Sequence, residues 1–263
     1  MRVIRTDKWL LNAYEQPLKL CEKLKKRFNE NISAEELHQH FIMHGMYRQP
    51  LKHGKKLIQK LQKRNIWQMV HQEAHDLQKE WNGPDIPIFI LPADTTNQKL
   101  THDQNGKSGL SFPDKVFLFI SDMNTEKEIC ALLTHEYNHI CRLSKYNKKE
   151  SEYTLLDTVI LEGLAENAVR ERFGERYTAK WVSYYSDARL NRICTNLILP
   201  NRNALKSSHI HAQLLYGLGF YPEMAGYCAG YHLVERYMNK ENVTSQDLLP
   251  VKSDIIIEQT DDS

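Results

Sequence analysis

Two imidazoles stand four positions apart in His135-Glu136-Tyr137-Asn138-His139, with a carboxylate directly after the first. On an α-helix, residues four apart lie about 40° apart around the axis and one turn along it, so both rings leave from one face and can grip a single ion. Glu136 points elsewhere on the helix and cannot join them as a third donor. Its place is that of a base able to take a proton from water held on the ion. Twelve histidines in 263 residues make a chance H-E-x-x-H a matter of about a few per cent, so the pattern needs a third ligand to be decisive.

The segment from Leu155 to Val169 is apolar around nearly its whole circumference, which predicts a buried helix over Tyr153 to Arg172. Glu162 and Glu166 interrupt it, one turn apart. A buried carboxylate without cation or hydrogen-bond partners costs on the order of several kcal/mol. Glu166 has Arg170 four residues on. Glu162 has Thr158, Val159, Ala165 and Glu166 at its three- and four-residue spacings, none of them cationic. A metal is the simplest cation for it, the alternative being an ion pair with a distant Arg or Lys. Glu166 then orients a ligand histidine through its free ring N–H. Gly163 costs about 1 kcal/mol inside a helix, which close approach of a second helix would justify.

His135, His139 and Glu162 together leave a fourth tetrahedral position for water, the pattern of a catalytic Zn2+ site. Water on such an ion ionises near a pH of about 7, and Glu136 beside it supplies the general base. The chemistry expected of such a pair is hydrolysis, with a peptide or protein as the expected substrate. The alternative from another class is a regulatory or protein-binding module in which the ion only stabilises the fold, and a third reading is a helical scaffold without metal.

These residues need elements to hold them. Thr125 with Glu128 forms a capping box that opens the H-E-x-x-H helix. Ahead of it, between Asp85 and Ser121, short runs rich in Ile, Val and Phe (Ile86 to Leu91 and Val116 to Ile120) predict a small sheet, with the polar segment Thr95 to Ser108 as a long loop. From Thr6 to Trp81, apolar residues at three- and four-residue spacing predict two or three amphipathic helices, with Ser33 and Glu36 as a capping box and breaks at Pro50 and at Asn82-Gly83-Pro84. After Thr125 the pattern is helical, broken near Gly174, Pro200 and Pro222. The expected class is helix-dominated α+β. Residues 1–84 form an N-terminal helical region, 85–258 a catalytic domain, and 259–263 an acidic tail expected to be disordered.

Bulk properties narrow the partners. A formal charge of +2 is too balanced for a nucleic-acid binder, and the basic clusters Lys23 to Arg27 and Lys52 to Lys63 are interleaved with apolar residues as on solvated helix faces. No apolar leader segment follows Met1 and no stretch reaches about 18 apolar residues, so the expectation is a cytoplasmic protein without membrane association. Five cysteines, none in a C-x-x-C pair, read as buried free thiols. His38, His40 and His44 read as surface or core residues of an amphipathic helix. His209 and His211 read as residues of a solvent-exposed loop.

His135-Glu136-x-x-His139 followed by Leu161-Glu162-Gly163-Leu164-Ala165 resembles the gluzincin metallopeptidases, in which the Glu of an E-G-[FL]-A segment on the next helix is the third zinc ligand. In detail, the last two-thirds of the chain look like the bacterial YjaZ-like family of predicted zinc-dependent proteases. The resemblance implies a zincin-like catalytic domain with a small antiparallel-edged sheet. Tyr227-Cys228-Ala229-Gly230 looks like the Y-x-x-G segment whose tyrosine stabilises the oxyanion, which implies that role for Tyr227, with Tyr231 and His232 as substitutes. Lys115 to Ile120 reads either as the edge strand on which such enzymes lay an extended substrate or as ordinary sheet core. The G-x-M-E-N segment with which M1 aminopeptidases hold a substrate N-terminus is missing, which points away from exopeptidase specificity and towards endopeptidase-like action.

Overall fold

The change of hydrophobic period at Asp85 is where the backbone turns from helices to a sheet. The computed structural model describes residues 1–28, 31–146 and 148–258, with the backbone alone at 150, so the acidic tail 259–263 lies outside the described residues. The chain divides into two compact units, Met1–Glu136 and Tyr137–Ser263.

The first unit begins with β1 (Arg2–Val3) and five helices: α1 (Thr6–Ala13), α2 (Pro17–Leu24), α3 (Ala34–Met43), α4 (Gly54–Lys63) and α5 (Ile66–Trp81). Two or three were expected. Pro17 opens α2 at a first-turn position, where its missing N–H costs nothing, and so separates two helices that share one apolar rhythm. The capping box of α3 is present, with Glu36 N–H donating to Ser33 Oγ and Glu36 accepting from Ser33 N–H. After α5 come β2 (Pro87–Pro92), α6 (Gln98–Asp103), β3 (Ser108–Phe112) and β4 (Lys115–Ile120), and then α7 (Glu126–Lys145), which runs on into the second unit.

The sheet order is β1-β2-β4-β3, with β1 parallel to β2, β2 parallel to β4, and β3 antiparallel to β4. The polar stretch after Thr95 is not only a loop, because it holds α6 and leads into β3, which corrects that expectation. Of the two readings of Lys115–Ile120, sheet core is the one found: β4 is an interior strand, and β3 is the antiparallel edge. The residue types explain the order, since Val116 to Ile120 are fully buried while every residue of β3 is half-buried. Phe117 stacks on Phe89 with ring centroids 4.8 Å apart and meets Phe41 at 4.7 Å, joining β2, β4 and α3 into one core.

The second unit contains the rest of α7, then α8 (Leu155–Phe173), α9 (Asp187–Ile193), α10 (His209–Tyr216), α11 (Ala225–Glu241) and α12 (Ser253–Glu258). Thr154 and Asp157 cap α8 reciprocally. The helix is buried over nearly all of Leu155 to Val169, as its all-round apolar pattern requires, and α11 lies directly against it. The two approach through glycines: a Cβ on Gly163 would lie 2.2 Å from the Gly230 carbonyl oxygen. Arg142 of α7, 1% exposed, donates through Nη1 to the carbonyls of Leu248 at 2.8 Å, Leu249 at 2.9 Å and Val251 at 2.5 Å, anchoring the segment that leads to α12. The whole is a helix-dominated α+β protein with a small mixed sheet.

Candidate metal centre

The α7 capping box is formed as expected: Thr125 N–H donates to Glu128 at 2.7 Å and Glu128 N–H to Thr125 Oγ1 at 3.3 Å. Two turns further on, the helix presents His135 and His139. One donor atom from each ring and one oxygen of Glu162 all lie within 4.8 Å of one another. His139 Nε2 is 3.6 Å from Glu162 Oε2, with the two side chains 12% and 14% exposed. Donors about 2.0–2.1 Å from a tetrahedral zinc stand about 3.3 Å apart, so the set suits the ion after a small contraction. Two imidazoles and a carboxylate are also the donor chemistry zinc takes in open, three-ligand sites.

Glu136 is 7% exposed and stays out of the donor cluster. Its carboxylate lies on β3, where Ser111 Oγ contacts Glu136 Oε2 and also lies 2.9 Å from the Glu136 carbonyl oxygen. Gly109, two residues earlier on the strand, makes room for it: a Cβ there would be 2.2 Å from Glu136 Oε1. Neither Gly109 nor Ser111 stands out in the sequence, since both are small residues next to a polar stretch.

Glu166, 4% exposed, accepts the Ala179 N–H through Oε1. Arg170, its expected local partner, donates instead to Asn167 Oδ1 at 3.0 Å and faces Glu235 at 3.6 Å. Tyr227 is half-buried, its ring edge-on to Trp181 at 5.3 Å and tilted against Tyr216 at 5.8 Å. Tyr231 is buried, and burial pushes its phenol well above the ordinary range. His232 Nε2 stands 2.8 Å from Asn191 Oδ1, towards α9.

His211 is not in an exposed loop. It lies on α10, 3% exposed, with Nε2 2.9 Å from Thr158 Oγ1, one turn before Glu162 on α8. Burial, and then Lys206, lowers its pKa. The signal for it was Leu214 and Leu215, three and four residues on, which give the segment a helical apolar face.

Two histidines one turn apart and a glutamate from the next helix form a three-donor cluster that could hold a metal ion, with a second acid, Glu136, next to the first of them in sequence. The chain belongs to the family described as "Predicted Zn-dependent protease (DUF2268)", whose model matches residues 66–258. It is 37% identical over 219 residues to the uncharacterized protein YjaZ of Bacillus subtilis (strain 168), covering 83% of this chain and 84% of that one. It is also 25% identical over 186 residues to the uncharacterized protein YjfC of the same organism, covering 68% of this chain and 62% of the relative. The YjaZ-like resemblance and zinc as the cofactor agree with these findings. No solved structure matches the chain. Among the described residues, no helix is long and apolar enough to cross a membrane.

Proposed function

We propose that the protein is a zinc-dependent peptidase with endopeptidase-like action on peptide or protein substrates. The observation that carries this is the convergence of His135, His139 and Glu162 donors within 4.8 Å, with Glu136 next to the first ligand in sequence and outside the ligand set. Bound there, zinc supplies a Lewis acid and a water acidic enough to lose its proton near neutrality. His135, His139 and Glu162 hold the ion. The Glu136 carboxylate takes the proton of the attacking water and returns it to the departing amine nitrogen. Glu166, one turn beyond Glu162, orients the ligand set from a buried position, and Tyr227 donates a hydrogen bond to the oxyanion.

The edge of β3 gives an extended peptide a row of main-chain groups to pair with. All five cysteines are buried and outside any disulfide, which suits a reducing compartment such as the cytoplasm. The experiment is a peptide-library digest by zinc-loaded wild type and Glu136→Gln. Removing a general base should lower hydrolysis about 100-fold or more without loss of zinc. Equal behaviour of the two proteins would overturn the reading in favour of a metal-stabilised binding module.

A further inference from the structure

We infer that Gly109 and Ser111 are the positioning residues of the Glu136 carboxylate, an inference that rests on the peptidase reading above. They stand two apart on β3, so both present to the same face of the sheet, the face on which the Glu136 side chain lies. A Cβ added to Gly109 would sit 2.2 Å from Glu136 Oε1 and 2.3 Å from both Cδ and Cγ. The carboxylate therefore occupies the space that any larger residue at this position would fill. Ser111 Oγ holds the other oxygen, Oε2, and lies 2.9 Å from the Glu136 main-chain carbonyl. One hydroxyl thus grips both the side chain of the base and the helix that bears it.

The strand that does this is itself fixed. Gly109 is paired with Leu118 and Ser111 with Val116 on the fully buried β4, and Ser108 Oγ donates to the His44 carbonyl at 2.6 Å. A glutamate has three rotatable bonds, and helix placement alone leaves its carboxylate free among several rotamers. The contacts from β3 select one. A base held in a single orientation against a rigid element is worth more than the same group left mobile, because the geometry for proton transfer is set before substrate arrives.

Ser111 could instead serve only to tie β3 to α7 through the Glu136 carbonyl, and the test separates the two roles. Ser111→Ala, Ser111→Thr and Gly109→Ala are made in the full chain, loaded with zinc, and compared by kcat, KM, zinc content and thermal midpoint on a peptide that wild type cleaves. In Ser111→Ala, kcat should fall about 10-fold to 100-fold with KM within about twofold and zinc unchanged, and Ser111→Thr should recover most of it. Gly109→Ala should approach Glu136→Gln in activity while keeping its metal. Crystal structures of the metal-free variants give a readout independent of catalysis, in which the Glu136 carboxylate has left its place on β3. An unmoved carboxylate, or an unchanged kcat in Ser111→Ala, overturns the inference. Should wild type cleave no peptide, the peptidase reading fails, and the positioning relation is judged by those structures alone.

Discussion

Gly163 of α8 meets Gly230 of α11 backbone to backbone: a methyl group on Gly163 would lie 2.2 Å from the Gly230 oxygen, and one on Gly230 would lie 2.0 Å from the Val159 oxygen. Two helices can cross this closely only where neither carries a side chain. Glu162, the carboxylate of the candidate metal centre, is the neighbour of Gly163, so the crossing that buries α8 also sets the height of the third candidate donor. Gly163→Ala should destabilise the fold by about 1–3 kcal/mol through overpacking, despite alanine's better helix propensity. It should also weaken zinc binding. Urea denaturation of the metal-free chain beside a zinc titration checks both, and a variant as stable as wild type would refute the tight crossing.

Arg142 has a structural role that its place on an otherwise amphipathic helix does not announce. Burial pulls its guanidinium down to about 10, so it remains charged at neutral pH, and it satisfies the carbonyls of Leu248, Leu249 and Val251. Arg142→Met keeps the apolar stem and removes the donors, leaving buried acceptors without this partner. The expected loss is on the order of 3 kcal/mol. A change in denaturation midpoint equivalent to less than about 1 kcal/mol would contradict the anchoring role.

Asp157 should make the second unit acid-sensitive. Burial raises its pKa, but hydrogen bonds from Lys148 and Thr154, then Tyr146 and Ser253, outweigh burial and hold it below the usual aspartate range. The folded state therefore binds its proton less readily than the unfolded chain. The sign follows: the stabilisation is complete above the unfolded pKa and is lost as pH falls through the lower, folded one. Metal-free protein, which cannot lose zinc on acidification, should lose stability below a pH of about 4, and Asp157→Asn should be less stable at pH 7 but flatter below pH 4. Parallel pH profiles for the two chains would count against it.

The gathering of the three candidate donors is legible in the sequence because each rests on a strong local constraint. Helical spacing sets His135 beside His139, and an acid on an all-apolar helix, as Glu162 is, needs a cation wherever the helix packs. Gly163 is legible for a similar reason, as a residue poor for helices kept in a helix. The support for Glu136 is not. Ser108-Gly109-Leu110-Ser111-Phe112 is a weak strand by composition, and it becomes one through its pairing with β4, a contact no local pattern encodes. The same holds for the interior place of β4, since a run of apolar residues says that a strand is buried but not which strands flank it. His211 was hidden by the polar residues before it, although Leu214 and Leu215 mark its helix.

Zinc content per chain is the plainest measure of the three-donor site. Elemental analysis would be made on protein purified without a metal-affinity tag, for wild type and Glu162→Ala side by side. About one zinc per wild-type chain is expected, with a loss of well over half of it in the variant, because the site then keeps only His135 and His139. Wild type that holds little zinc and takes up none when it is added, or a variant that keeps as much as wild type, would contradict it.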